Sequence, residues 1–396
     1  MEFVVFAGVL LLLFIFMIVQ ELIQTKNQEK LFKKYLRENY GKEPPKEYSL
    51  ERFARLGSYL ERHKEEKQLD DITWNDLGMD EVFRRIDRTY SAAGEEYLYY
   101  TLRNISCGRE ALEHLEEVVN WLQEQENIKV RIQLLMKRLG HLGKYSLYDY
   151  LDNLDYLGEL PTVRLLGNLL YLPFLLLLFV QPAMGTIGIV LCMLWHIMTY
   201  FREKKVIEPY IISFAYVLRL IDVCEELEKQ KIPVYRRELD ELREALKSLR
   251  ELRRGAYWVW SEIRKDWWES SGYPCGLSGM ILHLDIFQFN RMLEKLRKKT
   301  GQVETMLAIT GYLDMAISVG GFRKSLEGYC IPKLEEDTEK AFLHMKKGWH
   351  PLLSQPVKNS IRADRGILLT GSNASGKSTF LKMVAVNAVL AQTIHT

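Results

Sequence analysis

Residues 371–379 read Gly371-Ser372-Asn373-Ala374-Ser375-Gly376-Lys377-Ser378-Thr379. The first eight fit G-x-x-x-x-G-K-[ST], a pattern whose residue types suit one task, the holding of a polyphosphate. Glycines let the backbone curl so that successive amides face phosphate oxygens. Lys377 supplies a cation for the β- and γ-phosphates, and the Ser378 hydroxyl is the expected metal contact, to Mg²⁺. A helix running on from Thr379 aims its positive end at the same phosphates. ATP and Mg²⁺ are therefore the cofactors this stretch implies.

Such a loop works only between a strand and a helix. Ile367-Leu368-Leu369 is a short apolar run suited to a buried parallel strand. Phe380, Leu381, Val384, Ala388 and Val389 give the following segment an apolar helical face. Upstream, residues 329–365 read as short strands and loops. The rest of the chain carries helical periodicity. Leu112, Leu115, Val118, Val119 and Leu122 repeat at three and four, and Leu239, Leu242, Leu246, Leu249 and Leu252 form a second stripe. Val206 to Arg254 reads as long helix interrupted near Ile232-Pro233, and Gly41 to Pro45 reads as a linker. The four tryptophans Trp258, Trp260, Trp267 and Trp268 suit a helix interface or a bilayer surface better than base stacking.

The net charge of +2 over 396 residues argues against a chain built mainly to coat nucleic acid. The five cysteines form no C-x-x-C pair and read as free or buried thiols in a reducing compartment. Apolar residues are unevenly spread. Phe3 to Val19 carries no charge over about 17 residues, enough for a bilayer-spanning helix. It lacks a basic start and a small-residue cleavage site, so an uncleaved anchor is expected. Leu165 to Phe201 splits at Gln181 to Gly185 into two apolar halves, which read as a transmembrane hairpin. Lysines follow the first span, and Arg164, Arg202, Lys204 and Lys205 flank the hairpin, whose turn is uncharged. The positive-inside rule then gives a multi-pass protein of the cell membrane with three spans, the N-terminus outside and the glycine-rich loop in the cytoplasm.

His350-Pro351, Asn359 and the run Thr370 to Thr379 resemble the ATPase domain of the MutS family of DNA mismatch repair proteins. Tyr329 to Pro351 is similar to that domain's beginning, and Gly311 to Gly321, with its Leu313-Asp314 pair, resembles the helix before it. Phe83 to Ile105 is similar to the start of the family's helical core and lever. The resemblance implies an ABC-type ATPase that works as a homodimer through its ATPase domain. Carried over, Gly371, Asn373, Ala374, Ser375, Gly376, Lys377, Ser378 and Thr379 bind phosphate and Mg²⁺, Val357 lies near the adenine, and His350 is a structural or site-edge residue. There are departures. No mismatch-reading or clamp domain is visible, and the single F-x-E, Phe201-Arg202-Glu203, lies at a membrane exit. A hairpin interrupts the lever region.

The expected fold is mainly α: a membrane-anchored helical core/lever domain followed by the start of an α/β P-loop domain. The expected divisions are 1–20 anchor, 21–160 cytoplasmic helical region, 161–201 membrane hairpin, 202–327 core/lever and 328–396 the first part of the ATPase domain. Phosphoryl transfer also needs an acidic strand end and a signature loop. Neither follows the loop here, so a partial chain is expected that binds ATP without hydrolysing it alone. The expected partners are a second copy, DNA and the lipid bilayer. The competing readings are an ABC- or SMC-like P-loop ATPase unrelated to repair and a non-catalytic membrane interaction module.

Overall fold

The computed structural model describes residues 2–43, 48–65, 67–105, 108–141, 146–152, 167–263, 284–335, 342–372 and 376–396. It is mainly helical. Helices α1 (Glu2–Asn39), α2 (Leu50–Arg62), α3 (Asp71–Leu77), α4 (Met79–Ile86) and α5 (Ala92–Arg103) come first. They are followed by α6 (Arg109–Glu124), α7 (Glu126–Leu139) and the short α8 (Leu147–Asp152). A hairpin of α9 (Tyr171–Val180) and α10 (Pro182–Glu228) leads to α11 (Arg236–Ile263), α12 (Leu284–Arg297) and α13 (Thr300–Ser325). Strands β1 (Leu343–Gly348) and β2 (Asn359–Ala363) pair antiparallel, with Met345 opposite Ile361, and α14 (Lys377–Thr393) follows.

Local chemistry sets these boundaries. Ser49, Asp70 and Ser91 each accept a backbone N–H three residues on, from Arg52, Thr73 and Gly94, and so start α2, α3 and α5. Pro233 opens a single 3-10 turn, Pro233–Tyr235, that separates α10 from α11, as the break at Ile232-Pro233 predicts. The first leucine-rich stripe is buried on α6, and Leu239, Leu242, Leu246 and Leu249 of the second are buried on α11. The Leu252 side chain lies outside those described.

Helix α13 runs through the middle of this assembly and packs against α4, α5, α6, α7, α10 and α11. Its few charges and its small residues suit a helix covered on nearly every side. Its tightest crossing is with α5. A Cβ on Gly311 would come within 2.6 Å of the Ala93 carbonyl oxygen, and one on Gly94 within 2.4 Å of Asp314 Oδ2. Asp314 is fully buried. Its Oδ2 accepts from Tyr90 N (3.0 Å), Ser91 N (2.8 Å) and Ser91 Oγ (2.6 Å). One turn later, Ser318 Oγ accepts from Arg88 N and donates to the Ile86 carbonyl, both at 2.8 Å. These two α13 side chains thus stitch down the α4–α5 loop.

Two adjacent carboxylates on α5 are also buried. Glu95 pairs with Arg52 at 2.6 Å and Arg55 at 2.9 Å. Burial pushes its carboxyl up, but the His141 hydrogen bond and the Arg52 charge outweigh this and hold it below its ordinary value. Glu96 accepts a bond of 2.8 Å from Ser146 Oγ. Burial dominates there and pushes its carboxyl from 4.5 up to about 8.

The α9–α10 hairpin is built differently. Its apolar side chains point outward: Phe179 is 89% exposed, and Leu176, Ile187, Leu191 and Met198 are also exposed. Close approach between its helices needs glycine, because a Cβ on Gly188 would strike the Phe174 ring and one on Gly185 the Leu178 backbone. Pro182–Arg202 and α13 are both long and apolar enough to cross a membrane, but 28% of the first apolar window is buried against 83% of the second. Burial makes α13 a core helix. Phe3 to Val19 lies within α1, mostly among side chains outside those described.

Two expectations are corrected. The turn expected at Gln181 to Gly185 shrinks to Gln181, because Pro182 at the first helical position needs no N–H partner and starts α10 at once. The same helix then continues unbroken to Glu228, past the end of the apolar stretch Pro182–Arg202. No strand forms at Ile367-Leu368-Leu369; a parallel strand exists only through its ladder, and no strand pairs with this run among the described residues. Trp267 and Trp268 lie outside the described residues, as do the side chains of Trp258 and Trp260.

Two stability predictions follow from the buried carboxylates. Asp314→Ala strands the Tyr90 and Ser91 donors and should cost on the order of 3 kcal/mol in denaturant unfolding; a loss under about 0.5 kcal/mol would show that the cap is not needed. For Glu96, the unfolded carboxyl ionises near 4.5 and the folded one near 8, so stability declines as pH rises between these values. Glu96→Gln should therefore stabilise the chain at pH 8 by on the order of 3 kcal/mol, with the gain fading toward pH 5. Unfolding midpoints of both chains at the two pH values check this, and a pH-independent difference would refute it.

Candidate nucleotide-phosphate site

Helix α14 starts at Lys377, with Gly376 as its N-cap. Gly376 sits at φ +84°, in the left-handed region, and a Cβ there would meet open space. Glycine is required by conformation, not by crowding. Among the described residues, no side chain caps this end. Of the first-turn amides, Phe380 N bonds back to the Gly376 carbonyl at 2.9 Å. The amides ahead of it have no intrahelical partner at a helix start, and an anion placed there would satisfy them. Lys377 curls back over the loop, and its Nζ donates to the carbonyl oxygens of Ser372, at 2.6 Å, and Gly371. Ser378 and Thr379 lie exposed on the first turn. Asn373, Ala374 and Ser375 lie outside the described residues.

The structure thus brings Gly371, Ser372, Gly376 and Lys377 together at one helix end, with the Ser378 hydroxyl accessible beside them. This arrangement fits a phosphate: a cation, a helix N-terminus and a hydroxyl, with Gly376 free to hold its left-handed turn. Ser378 would hold Mg²⁺, which would shield phosphate charge. Among the described residues, no group of three or more His, Cys, Asp or Glu side chains converges as a separate metal site.

The neighbouring predicted residues stand apart from this cluster in role. His350 is buried after β1, and its Nδ1 accepts from Leu352 N at 3.3 Å, which makes it the organiser of a turn. Burial, then the Lys382 charge, lower its pKa and favour the neutral ring. Asn387 of α14 donates to the Trp349 carbonyl at 3.0 Å and so ties the helix to the end of β1. Val357 is 77% exposed, so little packs against it to fix it as an adenine contact.

The far half of α14 is part of the core. Met383, Val386, Val389 and Leu390 are buried, and the helix packs against α5 and α3. Sequence reasoning passed over the residue that receives its end, Arg323, which is buried and donates to the Ile394 and His395 carbonyls. The available signal was a charge at the close of the apolar α13 run.

A helix end open to an anion, carried on a mainly helical protein, is what the fold and site define. The chain is related over part of its length to MutS proteins. It is 31% identical over 124 residues to DNA mismatch repair protein MutS of Leptospira interrogans, a match covering 28% of this chain and 14% of that protein. It is 33% identical over 110 residues to DNA mismatch repair protein MutS of Acholeplasma laidlawii, covering 26% and 13%. It is 28% identical over 120 residues to MutS protein homolog 4 of Homo sapiens, covering 28% and 12%. The matched stretch is thus about one seventh of these relatives' length. No protein-family model matches the chain.

Proposed function

We propose that this protein is an ATP-binding, MutS-like protein held at a membrane, in which the loop at Gly371 to Ser378 binds the nucleotide phosphates and the helical core meets DNA. The observation that carries the reading is the N-terminus of α14: a helix end with no side-chain cap among the described residues, a left-handed glycine and a lysine folded over the loop, all within one G-x-x-x-x-G-K-S stretch. Similarity to mismatch repair proteins supports the DNA-directed part. Binding asks little rearrangement of these residues. The Lys377 ammonium exchanges the Gly371 and Ser372 carbonyls for phosphate oxygens, which are stronger acceptors. The first-turn amides take further oxygens, and Ser378 holds Mg²⁺. Dimerisation through the ATPase portion is part of the same proposal.

Membrane attachment is supported by the hairpin. A contiguous, outward-facing surface of Leu, Ile, Phe and Met on α9 and on Pro182–Arg202 is costly in water and suited to acyl chains. Its helices contact each other through glycine, as helices in lipid do.

Two measurements test this reading on the full chain. Lys377→Ala should weaken binding of a fluorescent ATP analogue at least tenfold, about 1.4 kcal/mol, with the unfolding midpoint unchanged; equal affinity would show that the nucleotide binds elsewhere. For the membrane, a Val180→Cys chain should react with an impermeant thiol reagent on intact cells, above the background of the unaltered chain. Labelling that needs permeabilised cells would overturn the orientation with the hairpin tip outside.

A further inference from the structure

Arg323 sits in the last turn of α13 with its side chain fully buried. Its Nη2 donates to the carbonyl oxygens of Ile394 (3.2 Å) and His395 (2.8 Å), and its Nε donates to Thr396 Oγ1 (2.8 Å). These acceptors lie at and just past the C-terminus of α14, the helix that follows the phosphate loop. Helix C-termini leave carbonyls without intrahelical partners and carry partial negative charge. A guanidinium is the side chain that can meet several such oxygens from one rigid plane.

The surroundings make this a constructed junction. Glu116 of α6 brings a carboxylate oxygen 2.8 Å from Arg323 Nη2, which balances a charge that could not otherwise be buried. His395 holds φ +56°, a left-handed conformation rare for a side chain of its size, while its carbonyl accepts from Arg323 and its Nε2 meets the Pro332 carbonyl at 3.1 Å. Strained backbone persists only where neighbours hold it. Pro332 belongs to the segment that leads from α13 toward β1. Core helices α6 and α13, that connecting segment and the end of α14 therefore meet at one guanidinium.

The other end of α14 is the opposite case. Lys377 to Lys382 is largely exposed, while Met383 to Thr393 carries the buried face. The helix has 17 residues, so about 25 Å of stiff rod separates the phosphate loop from the junction. The exposed first turns are thus joined to the Arg323 junction through the buried length of one continuous helix.

We infer that Arg323 is a positioning residue that anchors the nucleotide helix to the core, so that phosphate binding at Lys377 is felt at the α5–α13 crossing. This rests on the nucleotide-binding reading above. The anchor and the coupling are separable. Arg323→Lys keeps the charge but cannot span the three acceptors, and Glu116→Gln keeps the shape but removes the counter-charge.

Hydrogen–deuterium exchange on the full chain, with and without a non-hydrolysable ATP analogue, tests both. Without nucleotide, either variant should speed exchange across residues 390–396 roughly tenfold or more while α2 and α7 keep their protection. Unchanged exchange there overturns the anchor whatever the nucleotide does. With nucleotide, the unaltered chain should gain protection over residues 314–325, and Arg323→Lys should lose that gain while its analogue affinity changes less than about threefold. A retained gain overturns the coupling. An unaltered chain that binds the analogue without any gain overturns the coupling alone, whereas one that binds no analogue overturns the nucleotide reading and the coupling with it.

Discussion

The carboxylate of Asp314 lies inside an apolar helix, and a charge in that position is tolerable only where donors surround it. The donors come from the two residues ahead of α5, Tyr90 and Ser91. Ser91 Oγ both donates to Asp314 and accepts from Gly94 N, so the cap that starts α5 is completed by α13. This one relay fixes the register of two helices that are far apart in sequence. It also explains the two glycines, since neither Gly94 nor Gly311 could carry a side chain at that separation. The position of α5 in turn presents Glu95 to α2, Glu96 to Ser146 and an apolar face to α14.

Neighbouring carboxylates on α5 meet burial by different routes. Glu95 stays charged because two arginines and a histidine reach it. Glu96 has a hydroxyl within reach and sheds its charge instead. The difference is one of available partners, since the two residues share a helix and a degree of burial. The hairpin shows the same logic for apolar groups. Its outward leucines and phenylalanines are left exposed by the described residues, whereas α13, also long and apolar enough to cross a membrane, is wrapped by six helices. Helix α10 joins these two environments without a break, from exposed Met184 to buried Phe214 and Tyr216.

Much of this was legible because it is periodic. The stripes on α6 and α11 announce a helical interior, and Pro233 announces a break. What escaped depends on partners distant in sequence. Ile367 to Leu369 has the composition of a strand, but a strand is a relation between segments, and composition cannot supply the neighbour. Pro182 reads as a turn residue and serves as the first residue of a helix, since both uses exploit the same fixed φ. Asp314 stood out through resemblance alone. Its physical reason, the bare amides ahead of α5, lies more than 200 positions away. Arg323 escaped for the same cause.

Helix α14 combines two requirements that usually conflict. A ligand-binding end must leave its amides unsatisfied, which weakens the helix there, while a core helix must be covered and satisfied. Dividing the helix resolves this. Its first turn, with no side-chain cap among the described residues and a lysine bonded to its own loop, leans on the chain behind it. The turns behind it are held by apolar contacts with α5 and by the Arg323 junction. Stability of the buried half keeps the open half helical, so that under the proposed reading a phosphate would meet amides already aligned and need not fold the helix to bind. The weak end is then a consequence of the strong one, and the polar contacts of α13 bear on it through the length of the helix.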